Sequence, residues 1–244
     1  MIKINNLTKK YKDKLAVDNL NLEIKTGELF SLLGTNGAGK TTTIKMLSTL
    51  ILPTSGEVEI NNLDLVKDSS KIKEIINISP QETAVASNLT VLENVYFIAG
   101  IYQIPNKEDK IKELIKLFKL EEVLKQKAKT LSGGYQRKLS IAISLINNPK
   151  ILFLDEPTLG LDVISRHDLW KVIELLKGKT IIILTTHYMK EAEVLSDRIG
   201  IMNKGKLIEL GTSKELIKKA KTKNFEDAFI KIIEEDNNEN TNIC

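Results

Sequence analysis

Gly34-Thr35-Asn36-Gly37-Ala38-Gly39-Lys40-Thr41-Thr42 stands between the apolar run Leu29-Phe30-Ser31-Leu32-Leu33 and the helix-like segment Thr43-Ile44-Lys45-Met46-Leu47. Strand, Gly-rich loop, helix is the context in which G-x-x-x-x-G-K-[ST] carries meaning. Gly37 and Gly39 lack a Cβ, so the backbone can turn tightly and aim successive N–H groups at one anion. The helix N-terminus behind the loop adds partial positive charge and unsatisfied donors. Lys40 supplies a mobile full charge for β- and γ-phosphates. The Thr41 hydroxyl is a hard oxygen ligand suited to Mg²⁺. A Gly-rich turn that merely contains a Lys would need neither flank. The stretch implies a nucleoside triphosphate site.

Ile151-Leu152-Phe153-Leu154 is a continuous apolar run, expected of a strand buried on both faces of a parallel sheet. It delivers Asp155-Glu156-Pro157 to the carboxyl edge, beside the phosphate loop. Two adjacent carboxylates would repel each other there unless a cation sits nearby. Asp155 suits a metal or metal-bound water, and Glu156 suits polarising an attacking water. Thr180-Ile181-Ile182-Ile183-Leu184-Thr185-Thr186 reads as a second buried strand, so His187 emerges at the same edge. A lone His is usually structural, but here it can contact a γ-phosphate or hold the water's geometry.

Upstream, residues 1–33 alternate in short runs broken by Lys25-Thr26-Gly27, which predicts antiparallel strands leading into the strand before the loop. Tyr11, in a polar loop, could stack on a base or be a surface residue. Ser55-Gly56-Glu57-Val58-Glu59-Ile60 reads as a turn plus edge strand, and Ile75-Ile76-Asn77-Ile78-Ser79 as a short strand. Gln81 follows the latter, where ligands meet open α/β sheets, although a lone loop Gln is usually only solvated.

Residues 86–148 change character. Thr90-Val91-Leu92-Glu93 has capping-box spacing, and Ile111, Leu114, Ile115 and Phe118 recur at helical period. Helices without strand signals predict a helical sub-domain inserted between strands. Leu131-Ser132-Gly133-Gly134-Tyr135-Gln136 then precedes an amphipathic helix. It can be a simple cap or a second anion site by the physics of the first. Further on, Gly160-Leu161-Asp162 opens a helix containing Arg166 and His167, the latter read as solvated. A hairpin turns at Asn203-Lys204-Gly205 and two short helices follow. The acidic residues 236–244 are expected to be disordered.

The 244 residues fit one large domain with a sub-domain, and 42% hydrophobic with 28% charged content suits a sizeable core. Thirty-six basic against 32 acidic residues is too small an excess to argue for a nucleic-acid partner. The Lys-rich stretch 214–223 reads as a solvated helix face. The one cysteine, Cys244, permits no intrachain disulfide. No apolar run approaches the ~20 residues of a membrane span, and the first residues lack a signal peptide's apolar core. A soluble, cytosolic chain is expected, with any membrane role exerted through a partner.

Taken together these residues resemble the nucleotide-binding subunit of an ABC transporter, over nearly the whole chain. Gly34, Thr35, Asn36, Gly37, Ala38, Gly39, Lys40, Thr41 and Thr42 match Walker A. Gln81 matches the Q-loop, Leu131 to Gln136 the signature, and Ile151 to Asp155 Walker B with Glu156 its catalytic residue. Asp162 matches the D-loop and His187 the H-loop. The resemblance implies a P-loop NTPase α/β fold with a mostly parallel sheet, an antiparallel N-terminal part and the helical insertion, in one domain over residues 1–235. It implies ATP and Mg²⁺ as cofactors, with Tyr11 and Val17 against the adenine and Thr41, Gln81 and Asp155 at the metal. Ser132, Gly133, Gly134, Gln136 and Asp162 would meet the nucleotide of a second copy, or of a homologous subunit, in a head-to-tail dimer. A transmembrane permease subunit, contacted near Gln81 and residues 82–100, would hold the chain at the inner face of the cell membrane.

Thr35 stands where Pro is frequent in the family, Tyr135 where Gln is frequent in the signature, and Val163 where Pro is common after Asp162. None removes a group the chemistry needs. The runs Thr185-Thr186-His187-Tyr188-Met189-Lys190-Glu191-Ala192-Glu193 and Leu195-Ser196-Asp197-Arg198-Ile199 are similar to the ABC-2-type exporter branch, which includes drug- and antibiotic-export subunits. An importer subunit is the runner-up. A soluble ABC ATPase acting on DNA or ribosomes would usually carry a long coiled-coil insertion or two cassettes, and a non-hydrolysing binder is disfavoured by intact Glu156 and His187.

Overall fold

The computed structural model describes residues 1–241. Two sheets share the core. The first is antiparallel, in the order β2-β1-β4-β5, from β1 (Ile2–Tyr11), β2 (Lys14–Ile24), β4 (Ser55–Ile60) and β5 (Leu63–Asp64). The second has the order β10-β9-β3-β8-β7-β6. Its centre is β3 (Leu29–Gly34), flanked by β8 (Ile181–Thr186), β7 (Ile151–Asp155) and β6 (Ile76–Ser79) on one side. On the other lie β9 (Arg198–Asn203) and β10 (Lys206–Gly211). All of its pairings are parallel except the hairpin β9–β10. The mostly parallel sheet, the antiparallel N-terminal part and the helical insertion are as the sequence predicts.

The buried strands explain themselves. Every residue of β3, β7 and β8 is buried, because helices cover one face of the sheet and the antiparallel layer packs over the other. Helix α1 (Lys40–Leu47) lies between the layers, with Ile44, Met46 and Leu47 packed among Ile4, Val17, Leu22, Phe153 and Ile183. The parallel register sets Leu33 beside Thr186 and Asp155 beside Thr185. The carboxyl ends of β3, β7 and β8 therefore form one ledge. A ligand site belongs there in an open α/β sheet.

Helix α2 (Ser69–Ile75) runs directly into β6. The insertion carries α3 (Val91–Ile101), α4 (Lys107–Phe118) and α5 (Gly133–Ser144). Thr90 and Glu93 form the expected capping box: the Glu93 N–H donates to Thr90 Oγ1 at 3.2 Å and the Thr90 N–H to Glu93 Oε2 at 2.7 Å. Ile111, Leu114, Ile115 and Phe118 are all buried in a second core cluster with Leu139, Ala142, Leu169 and Ile173. Helix α6 (Val163–Leu176) completes that layer, and α7 (Met189–Leu195), α8 (Ser213–Ala220) and α9 (Phe225–Thr241) build the third cluster on Leu33, Ile199 and Ile201.

Three expectations change, beside a one-residue shift at Ile75. Residues 55–60 are not an edge strand, because the two-residue β5 pairs outside them. Tyr11 ends β1 instead of lying in a loop. Ile75, read as the first residue of a strand, instead ends helix α2, and β6 begins at Ile76. Finally, α9 is long and remains helical through Thr241, into the segment expected to be disordered, where Asn203 Nδ2 donates to Asp236 Oδ2 at 2.7 Å. Cys244 lies outside the described residues.

Candidate functional site

Helix α1 begins at Lys40 without a side-chain cap, so the N–H groups of its first turn are free of any capping side chain. Its N-cap, Gly39, has φ +105°, and a Cβ added there would stand 2.5 Å from the Ala16 carbonyl oxygen. Only glycine allows the loop to turn so close to β2. The loop walls one side of an open cleft of about 440 Å³. Asn36, Gly37, Ala38, Gly39, Lys40, Thr41 and Thr42 line it, and Gln81, Glu156 and His187 line the facing side. The sequence places the loop, Glu156 and His187 at one sheet edge, the resemblance adds Gln81, and the fold brings them together.

Behind the cleft the polar groups are closely tied. Lys40 is 5% exposed. Its Nζ donates to the carbonyls of Gly34 at 2.7 Å and Thr35 at 3.1 Å and lies 3.5 Å from Glu156 Oε1. Burial pushes the Lys40 ammonium below the usual lysine value, against the opposing pull of Glu156 and Asp155. Asp155 Oδ1 accepts from the Thr41 hydroxyl at 3.1 Å and from the Thr185 hydroxyl. The Glu156 N–H donates to Thr185 O at 3.0 Å and Oγ1 at 3.1 Å. Glu156 has φ +49°, a left-handed conformation unusual for a non-glycine residue and met at functional turns. His187 Nδ1 lies 2.7 Å from Glu156 Oε2. An ionised Glu156 accepts from Nδ1–H, which leaves Nε2 as the free ring nitrogen.

The donor set fits Mg²⁺. A hydroxyl and a carboxylate oxygen 3.1 Å apart beside a phosphate loop leave most of an octahedral shell to phosphate and water, as Mg²⁺ prefers.

Other predicted residues lie elsewhere. Val17 is fully buried in the core below β2, so its side chain does not reach the cleft. Ala16 and Lys14 line the cleft instead. Tyr11 is exposed and not part of the lining, with Lys9 Nζ 5.1 Å from its ring centre. Ser132 caps α5, accepting from the Tyr135 N–H at 3.4 Å, and Gly133 and Gly134 follow it. Gln136 turns back, its Nε2 donating to Ala128 O at 3.1 Å and Leu131 O at 3.3 Å, and so supports this loop instead of offering its amide to a ligand. Asp162 caps α6, accepting from the N–H groups of Ile164 and Ser165, and the Ser165 bonds hold its carboxyl below the usual value. None of these groups lines the Lys40 cleft within one chain.

Two residues of the site have no clear local signal. Thr185 bridges Asp155 and Glu156. Arg137, in the second turn of α5, is buried and reaches under the ledge to the main chain beside Gln81 and Glu156. An Arg-Lys pair opening a helix otherwise reads as solvent-facing.

With that geometry in place, comparison with known proteins identifies the lineage. The family model described as ABC transporter matches residues 17–159. The chain belongs to the ABC transporter family. It is 42% identical over 218 residues to the human phospholipid-transporting ATPase ABCA3, covering 87% of this chain and 13% of that protein. It is 39% identical over 220 residues to the Bacillus subtilis linearmycin resistance ATP-binding protein LnrL, covering 88% of this chain and 70% of that protein. Among solved structures, the dimeric post-hydrolysis state of the ATP-binding cassette MJ0796 bound to ADP and Pi superposes with a TM-score of 0.78. That match is 32% identical and covers 87% of this chain and 98% of that one. The chain is thus an ATP-binding cassette with a P-loop ATPase fold and exporter-like relatives. No helix among the described residues is long and apolar enough to cross a membrane.

Proposed function

We propose that this cassette binds Mg²⁺-ATP, hydrolyses it in a head-to-tail dimer and drives export through a separate transmembrane permease. The observation that carries the reading is Glu156, a buried carboxylate held between Lys40 and His187 on the wall of the phosphate cleft. Lys40 and the N-terminus of α1 receive the β- and γ-phosphates. Glu156 polarises a water, whose oxygen forms a bond to the γ-phosphorus as the bond to the bridging oxygen breaks, giving ADP and phosphate. His187 fixes the carboxylate during that step. Thr41 and Asp155 would hold the Mg²⁺, which would supply neutralisation of phosphate charge. Ser132 and Gly134, at the N-terminus of α5, suit the γ-phosphate of a nucleotide on a second copy or a homologous subunit.

The likeness of residues 185–199 to exporter subunits and the match to a linearmycin resistance protein support export over import. The transported compound is a property of the permease.

The experiment is Mg²⁺-ATP turnover and light scattering on the purified chain and on Glu156→Gln. The wild type is expected to turn over ATP, and E156Q to bind it, accumulate as a dimer and release no phosphate. Steady hydrolysis by E156Q would remove the role given to Glu156. A chain that stays monomeric and inert, alone and with its mate, would remove the dimer reading.

A further inference from the structure

The signature helix and the hydrolytic ledge are joined by one side chain. Arg137 is 3% exposed, and its five hydrogen bonds all go to main-chain carbonyls. Nε donates to Pro157 O at 2.8 Å. Nη1 donates to Pro80 O and, at 3.3 Å, to Gln81 O. Nη2 donates to Asp155 O and Glu156 O, each at 2.6 Å. A guanidinium has five N–H donors in a rigid fork, and every one is used. Burial lowers the Arg137 pKa to about 10, partly offset by Asp155, Glu191 and Glu156, so the group stays charged at neutral pH. A buried charge with that many directed partners is costly to displace.

The placement of the two ends makes this more than packing. Arg137 lies one turn after Ser132, on the helix that carries the second half-site. Its fork grips the two segments that flank the cleft, residues 80–81 and 155–157. The carbonyl of Glu156, in its strained left-handed conformation, accepts from Nη2 and from the Leu159 N–H.

We propose that Arg137 is a positioning residue that fixes the Glu156 turn and the Gln81 segment to the signature helix, so that the helix's orientation sets the aim of the Glu156 carboxylate. The inference rests on the reading of Glu156 as the water-polarising group. Loss of Arg137 is expected to change nucleotide affinity little, because its contacts are all to main-chain carbonyls and none touches the phosphate loop.

The test is steady-state kinetics, MANT-ATP binding, thermal melting and hydrogen exchange on the full chain, for Arg137→Gln and Arg137→Lys beside E156Q. A misaimed catalytic group costs on the order of 10²-fold in rate, so kcat in R137Q should fall about 10- to 100-fold with KM and MANT-ATP affinity within about twofold. R137K keeps the charge with three donors and should recover part of kcat. Amides of residues 80–82 and 155–159 should exchange faster in R137Q, and those of 36–42 should not. Wild-type kcat in R137Q, or a loss of kcat that tracks equal losses of affinity and melting temperature, overturns the proposal. If R137Q does not fold, R137K decides: a kcat loss at unchanged KM supports it, and wild-type kcat or lost ATP binding overturns it. An E156Q protein that hydrolyses ATP sinks the underlying reading instead, and the exchange data then stand alone for the positioning claim.

Discussion

Replacing Thr185 by Val removes one hydroxyl from the centre of the site and nearly nothing else, because the side chain is fully buried and the two residues share a shape. The hydroxyl makes two bonds: it donates to Asp155 Oδ1 and accepts from the Glu156 N–H. The second loss is small, since the same N–H also donates to Thr185 O at 3.0 Å. The first is charge-assisted, a class worth about 1.5–3 kcal/mol. The Thr41 hydroxyl still donates to the same oxygen, which keeps the loss at the lower end, about 2 kcal/mol. For a chain of this size that is about 4–8 °C in melting temperature. The attribution is tested by a cycle of wild type, Thr185→Val, Asp155→Asn and the double variant, unfolded in urea without nucleotide. Contacting groups couple by about 0.5–3 kcal/mol, so a coupling below about 0.5 kcal/mol would refute the reasoning. Because Thr185 orients a residue placed at the metal, T185V should also raise the Mg²⁺ concentration for half-maximal turnover about 10- to 100-fold.

Gly39→Ala would put a Cβ 2.5 Å from Ala16 O at φ +105°, so MANT-ATP affinity should fall at least about tenfold and stability by a few kcal/mol. Thr90→Ala breaks the capping box of α3 and should lower stability by about 1 kcal/mol, with turnover per folded molecule unchanged. Glu191 is buried in α7, accepts from Trp170 Nε1 at 3.0 Å, and burial raises its carboxyl above the usual value of 4.5. An acid of that kind binds its proton more tightly folded than unfolded, so its contribution to stability is lost as pH climbs from 4.5 through the raised value. Glu191→Gln keeps the acceptor for Trp170 and has no charge to bury. Its melting temperature relative to wild type should therefore rise between pH 4.5 and pH 8, and a difference that is flat or falls with pH would contradict the direction of the shift.

What was legible in the sequence was local or fell on one edge. The loop at residues 34–42 states its chemistry within nine residues, and β7 and β8 are apolar enough to be read as buried parallel strands. Their ends then had to share a ledge with the loop, which is why Glu156 and His187 could be paired before the fold was seen. Val17 came from the resemblance alone: it is fully buried in the core while Lys14 and Ala16 of the same strand line the cleft, and an apolar strand residue carries no local sign of which face it takes. Helix α9 continues past its last apolar residues because Asn203, on a strand far away in sequence, binds Asp236 and Asn237. Arg137 meets carbonyls contributed by two separate segments, and no pattern within its own helix announces them.

If Glu156 polarises water as proposed, the arrangement of Lys40 gives nucleotide a way to arm the site. Its ammonium donates to the Gly34 and Thr35 carbonyls and lies 3.5 Å from Glu156, longer than a direct charge-assisted bond. A phosphate oxygen offers a stronger partner than any of these, and the one lost most readily is the most distant, Glu156. His187 at 2.7 Å then holds the carboxylate alone, and the Thr185 main chain and Arg137 fix its backbone from behind. Release from Lys40 leaves Oε1 free to accept from a water at the cleft wall. On the proposed reading, the group that receives phosphate and the group that polarises water form an ion pair that substrate would separate.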